Sequence, residues 1–351
     1  MVFSEVVRWI GDETLLQNLV FGLPTIVLVV AIAFCVLMLS KGADWMIDGV
    51  VHLARRTGLP RIVIGATIIS LGTTMPEAFV SVMAAWMGNP GLALGNGVGS
   101  IIADTGLIFG LLCILSRVPV NRFILNRTGW VQVGAATLLV TISMLLLGRT
   151  EGEPILHRWV GFLFLFLLVC YMYTTYRWAK HGSAIEGEDA DDSQLIKLGI
   201  SCLLIGGGLF LVIVGARILI PCAVCLADRL GVPNDVIAAT MVALGTSLPE
   251  LVTGIVAVKK KHPEIMVGNI VGADVLNCLF VIGAAAAARP LGVPPNFFTF
   301  HFPAMILILY PFRFFIFINR DGWFKRWQGG WLFGLYLIYL ILQYAYNIHT
   351  V

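Results

Sequence analysis

One apolar segment occurs twice in this chain. Residues 58–110 and 231–283 align without a gap at a constant offset of 173, and 18 of the 53 positions are identical. Each copy sets a glutamate directly after a proline inside apolar sequence, Glu77 after Pro76 and Glu250 after Pro249. A charged side chain at the centre of a bilayer costs at least ~2.5 kcal/mol, so such residues normally face a partner or a pathway. Paired, interrupted apolar segments in corresponding positions of two halves point to a transport site between them.

Composition supports the membrane reading. Hydrophobic residues make up 58% of the chain and charged residues 12%, with a mean hydropathy of +0.91. The 351 residues leave room for about ten spans of roughly 20–25 residues. Ten apolar segments can be drawn, near 22–55, 60–87, 91–116, 128–148, 155–178, 195–228, 233–259, 264–287, 298–318 and 328–347. The acidic stretch 179–194 divides them into an N-terminal half, 1–178, and a C-terminal half, 195–351. Each half holds five segments and one copy of the repeat. An odd number of spans per half inverts the second copy, related to the first by a pseudo-two-fold axis in the membrane plane. The predicted fold is therefore an all-α polytopic membrane protein, ten transmembrane helices in two inverted five-helix repeats.

The basic residues fit this topology. Arg55, Arg56, Arg61, Arg117, Arg122, Arg127, Arg177, Lys180, Lys197, Lys259, Lys260, Lys261, Arg313, Arg320, Lys325 and Arg326 fall toward one side, against Arg8, Arg149, Arg158, Arg229 and Arg289 on the other. An excess of Lys and Arg marks the cytoplasmic side, which places both termini outside. The N-terminus lacks a basic region and a cleavage motif, so no cleaved signal peptide is expected. Short loops suggest a prokaryotic plasma membrane. There is no basic patch interleaved with exposed aromatics, which excludes nucleic acid as a partner. No obligate protein partner is evident. The seven cysteines lie in apolar stretches, and the one CxxC, Cys222 and Cys225, lacks the second pair that a metal site needs.

The chemistry centres on GTTMPE (72–77) and GTSLPE (245–250). Proline cannot donate a backbone hydrogen bond and crowds the carbonyl four residues back. Pro76 should release the Gly72 carbonyl, and Pro249 that of Gly245. Thr73 and Glu77, like Thr246 and Glu250, are spaced i, i+4 and share a helix face; Thr74 and Ser247 add hydroxyls. Carboxylate, hydroxyl and carbonyl oxygens together suit hard cations such as Ca²⁺ and Na⁺. A second pair of segments, GNGVGSIIADTG (95–106) and GNIVGADVLNCL (268–279), follows. Gly95 and Gly99, like Gly268 and Gly272, permit close helix approach. Ser100 and Asp104 share a face, and their repeat counterparts are Ala273 and Asn277. Asp104 and Asn277 are placed to complete an oxygen cage with the two glutamates.

These motifs, G-T-[ST]-x-P-E followed by G-N-x-x-G-[SA], resemble the two α-repeats of the Ca²⁺/cation antiporter superfamily, and the sodium/calcium exchangers in particular. The resemblance implies a ten-helix exchanger whose first and sixth helices slide to alternate access. It implies that Ca²⁺ and Na⁺ compete for a midplane site formed by Thr73, Thr74, Glu77, Ser100 and Asp104 with Thr246, Ser247, Glu250 and Asn277. Three departures stand out. Ala273 replaces a serine that many relatives carry; Asp274 is an extra acid, able to reach either the site edge or another helix; and the Asp/Asn pair has its Asp in the first repeat, the reverse of some exchangers.

The expected activity is export of Ca²⁺ driven by Na⁺ entry, with no enzymatic reaction and no cofactor. The same scaffold could couple to H⁺ instead, since three acids could carry protons. A passive channel is disfavoured because clustered carboxylates hold a divalent ion too tightly to conduct. Asp104-Thr105-Gly106 spells the aspartic-protease tripeptide, but that chemistry needs a second close aspartate, and the counterpart of Asp104 is Asn277. The acidic run 186–192 lacks the EF-hand pattern and is read as a solvated linker.

Overall fold

The computed structural model describes residues 20–57, 59–148, 154–182, 198–230 and 247–345. Helix α1 (Thr25–Thr57) leads into α2 (Arg61–Thr73) and α3 (Met75–Met87). Then come α4 (Pro90–Leu115), α5 (Arg122–Leu147) and α6 (Arg158–Gly182). The second half holds α7 (Leu198–Arg229), α8 (Leu248–Lys259), α9 (Pro263–Ala288), α10 (Phe297–Ile318) and α11 (Arg326–Ala345).

Among the described residues, seven helices are long and apolar enough to cross a membrane, or eight spans if α2 and α3, bent by 42°, are taken as one. The protein is an all-helical membrane protein. Of the other two predicted spans, α11 has 20 residues but falls outside this set, and the segment 233–259 is described only from residue 247. Helices α9 and α4 form the centre: 83% and 72% of their spanning residues are buried, against 28% in α1, α6 and α7. The latter three lie nearer the perimeter.

Local sequence accounts for the helix ends. Gly88 ends α3 in the left-handed region (φ 84°), where glycine has no Cβ penalty. Asn89 then caps α4, its side chain accepting from the Leu92 N–H at 3.0 Å, with Pro90 opening the helix. Proline suits that first turn because the missing N–H would have had no partner there. In the second copy the left-handed position falls on Lys261 (φ 63°), an exposed non-glycine residue.

Helix crossings are made by glycine. A Cβ on Gly208 in α7 would lie 2.4 Å from the Gly42 carbonyl oxygen in α1, and one on Gly42 would lie 2.6 Å from that of Gly208. Gly215 in α7 likewise packs on Cys35, Met38 and Leu39, while Gly42 packs on Gly208, Leu211 and Val212. These two contact sets interchange under the offset of 173. Crossing α2 over α9 depends on Gly65, Gly268 and Gly272; a Cβ on Gly268 would sit 2.1 Å from the Ile62 oxygen. Gly329 in α11 meets Gly110 and Ile114, as Gly161 in α6 meets Gly283 and Ala287. Between helices, Ile155–Leu156 (β1) pairs antiparallel with Leu291–Gly292 (β2), and Pro119 bridges Trp323.

Two substitutions test this packing. Gly208→Ala, which forces a Cβ against backbone, should cost about 1–3 kcal/mol and lower the melting temperature in detergent, whereas Gly134→Ala, with nothing within 4 Å, should leave it unchanged or raised. Lys261→Gly should stabilise the protein by about 1 kcal/mol through relief of the left-handed backbone; an unchanged melting temperature would count against strain there.

Candidate cation site

The site begins at the break between α2 and α3. Thr74 sits at the junction (φ −83°, ψ −6°), and Pro76 lies in the first turn of α3 with Glu77 beside it. The second copy repeats the design: Ser247 precedes α8, whose first turn holds Pro249 and Glu250. A helix N-terminus carries partial positive charge that favours carboxylates in the first turn. One expectation needs correcting here. The Gly72 carbonyl is not released by Pro76, because it accepts a backbone N–H at the Thr74 cap, where the chain tightens as it leaves α2. Gly245 and Thr246 lie outside the described residues.

The other sequence-predicted residues within the described range are buried. Thr73, Thr74, Glu77, Ser100, Asp104, Ser247, Glu250 and Asn277 are all buried. Asp104 and Asn277, counterparts across the repeat, meet directly: Asn277 Nδ2 donates to Asp104 Oδ2 at 3.4 Å. Each stands in a π-helical turn, Ala103–Phe109 in α4 and Asn277–Ile282 in α9, and these turns coincide under the offset of 173. Widened turns of this kind break the regular hydrogen-bond ladder and recur at functional sites.

Charge is concentrated in this layer. Glu77 lies within electrostatic range of Glu250, Asp104 and the Arg217 guanidinium, and Asp104 within range of Glu250 and Asp274. Thr73 approaches Glu250 and Ser247 approaches Asp104, without forming full hydrogen bonds. Oxygens of Thr74, Glu77, Glu250, Asp104 and Asn277 are buried with no hydrogen-bond partner. Buried polar atoms are almost always paired, so a cluster of unpaired acceptors is suited to an electropositive guest. Among the described residues, no three acidic, histidine or cysteine side chains close on one point to hold a metal unaided. A cation here would draw on hydroxyl and amide oxygens as well as carboxylates, which is the ligand set hard cations accept.

Asp274, at the edge of this layer, hydrogen-bonds to two other helices. Its Oδ2 accepts from Gln132 Nε2 of α5 at 2.5 Å and from the Thr105 hydroxyl, while Oδ1 has no partner. Gln132, Thr105, Asn96 and Asn269 were not singled out in the sequence. Asn96 Nδ2 donates to the Glu77 backbone oxygen (3.0 Å) and to Ser81 Oγ (2.9 Å), fixing the turn that carries the glutamate. Asn269 Oδ1 lies 3.4 Å from the Thr73 hydroxyl. Both asparagines belong to the repeated Gly-Asn pair, so their recurrence at the same offset was an available signal. Gln132 signals only as a lone amide in an apolar span.

Comparison with known proteins agrees with this geometry. The family profile described as sodium/calcium exchanger protein matches residues 17–177 and 200–345. An uncharacterised membrane protein of Methanocaldococcus jannaschii is 30% identical over 308 residues, covering 86% of this chain and 93% of that protein. The sodium/calcium exchanger MaX1 of Methanosarcina acetivorans is 27% identical over 359 residues, covering 90% and 99%. A solved structure of the sodium–calcium exchanger NCX_Mj, soaked with 10 mM Na⁺ and no Ca²⁺, superposes with a TM-score of 0.76 at 28% identity, covering 91% of this chain and 99% of that one. A buried carboxylate in the first turn of each of two matched helices and a profile that spans both halves lead to one assignment: the chain belongs to the sodium/calcium exchanger family, within the Ca²⁺/cation antiporter superfamily.

Proposed function

We propose that this chain is a secondary active antiporter that exports Ca²⁺ in exchange for inward Na⁺ across a prokaryotic plasma membrane. The observation that carries this reading is the placement of Glu77 and Glu250: each follows a proline at a helix start, and both are 1% exposed with unpaired oxygens. In this reading the two glutamates are the shared Ca²⁺ ligands, assisted by Thr73 and Thr246. Thr74, Ser100, Asp104, Ser247 and Asn277 supply the oxygens for Na⁺. Asp274 stands outside the ligand set, held by Gln132 and Thr105.

Exchange requires only that Ca²⁺ and Na⁺ cannot occupy the centre together. Two cations 4 Å apart at an effective dielectric constant of about 20 repel by roughly 4 kcal/mol per unit-charge pair, so arrival of one favours loss of the other. The layer of acids also makes an empty site costly, which discourages return without cargo.

For the architecture, we propose ten spans in two inverted five-helix repeats, with 1–178 and 195–351 as halves, 179–194 as a cytoplasmic linker, and both termini outside. Support comes from the interchange of the Gly42 and Gly215 contacts, and of the Gly161 and Gly329 contacts, between halves. The eight spans would be completed by α11 and by the helix ending in α8. Alternating access would follow from sliding of α1 and α7, whose crossing is lined by glycine.

Radiolabelled Ca²⁺ uptake into proteoliposomes tests the proposal. Uptake should appear with an outward Na⁺ gradient and be absent from K⁺-loaded vesicles; uptake driven by a pH gradient alone would transfer the coupling to protons. Glu77→Gln and Glu250→Gln should each reduce uptake to background while leaving the purified protein monodisperse, and an active Glu250→Gln would remove the assignment. Asp274→Asn should retain uptake within about threefold of wild type, the mark of a residue outside the transition-determining contacts.

A further inference from the structure

A second polar feature lies away from the acidic layer, on the lipid-facing perimeter. Asn126, Arg127 and Trp130 on the first turns of α5, with Val131 and with Trp178 near the end of α6, line a cavity of about 480 Å³. Arg127 sits over the Trp178 ring, 5.9 Å from its centroid. Behind the cavity, Arg313 of α10 packs over Trp130 at 4.5 Å and donates through Nη2 to Asn126 Oδ1 at 2.5 Å. Its stem lies against Gly129, where a Cβ would meet Cδ at 3.3 Å.

Arg313 is 6% exposed, and its Nε and Nη1 have no hydrogen-bond partner. No carboxylate among the described residues pairs with it. A guanidinium so buried in a membrane protein is costly unless an anion or a carbonyl completes it. Cation–π contact with Trp130 and one amide hydrogen bond satisfy only part of its five-donor fork. The surroundings point to where the anion comes from. Trp130, Phe314 and Phe317 are exposed on the outer surface, and tryptophans at helix ends settle at the headgroup level. A basic pocket between membrane helices at that level suits a lipid phosphate: Arg127 lines it, and the unneutralised charge of Arg313 lies behind its wall, against Trp130 and Asn126.

We infer that Asn126, Arg127, Trp130 and Trp178, with the charge of Arg313 behind them, form a binding site for the phosphate of an anionic phospholipid, with its acyl chains lying along the outer face of α5 and α10. The site is separate from the acids of the transport layer and does not depend on which cations are exchanged.

The test is lipid retention and melting of the full-length protein in detergent with added phosphatidylglycerol, phosphatidylcholine or inorganic phosphate. Wild type should retain phosphatidylglycerol at least about tenfold over phosphatidylcholine by native mass spectrometry, as expected of a charge-assisted contact, and should melt several degrees higher with it. Arg127→Gln and Arg313→Gln should each remove most of that preference while Na⁺-dependent Ca²⁺ uptake continues. Should Arg313→Gln fail to fold, Arg127→Gln, on the partly exposed wall, gives the same reading. Equal retention of both lipids by wild type, an undiminished preference in Arg127→Gln, or stabilisation by inorganic phosphate matching that by the lipid would each overturn the inference.

Discussion

Carboxylates held in the first turns of two buried helices set the terms for the rest of the structure. A continuous helix would satisfy its own backbone and leave Glu77 and Glu250 as isolated charges in a low-dielectric interior. The breaks change that balance: each glutamate gains the positive end of a short helix, and each site gains hydroxyls from the residues just before the proline. What remains uncompensated is a set of buried acceptor oxygens. The enclosing helices α4 and α9 are the most buried of the described long apolar helices, which keeps water from answering that need cheaply. The consequence is a layer of acceptor oxygens that lacks its own donors.

The duplication governs the scaffold more strictly than it governs the chemistry. Backbone crossings are reproduced in both halves, because a helix pair held at glycine contact distance tolerates little variation. Side-chain roles diverge. Asn96 braces the Glu77 carbonyl and Ser81, but the counterpart of Ser81 is Gly254, and Asn269 turns to Thr73 instead. Asp104 faces Asn277, so one half contributes a charge and the other an amide. Such divergence gives the two halves different electrostatics on the same frame.

Much of this was legible in the sequence, for physical reasons that differ by element. The helix breaks were readable because proline has one effect on a helix, and the acids because charge in apolar sequence is costly. Helix ends at Asn89-Pro90 followed from capping chemistry. The fate of the Gly72 carbonyl was not readable, since a backbone oxygen can be satisfied by a tightened turn that no residue type announces. Nor was the choice made by Asp274, which depends on Gln132 in a helix outside the repeat and on the width of the π turn that carries Thr105. The Arg313 pocket was hidden for the same reason: Arg127, Trp178 and Arg313 come from three helices, and only packing brings them together.

The crossing of α1 with α7 bears on how the chain is made. Gly42 and Gly208 are more than 160 positions apart, and the same holds for α2 against α9 at Gly65 and Gly268. During synthesis the first half must enter the bilayer with these glycine faces unmatched and with Glu77 lacking its opposite number. Native contacts that close loops of this length form late, and surfaces waiting for them are open to wrong partners. The early helices therefore depend on lipid, on the insertion machinery or on each other until α7 and α9 arrive. A chain truncated after its first half would keep its spans but lose the contacts that give them one arrangement.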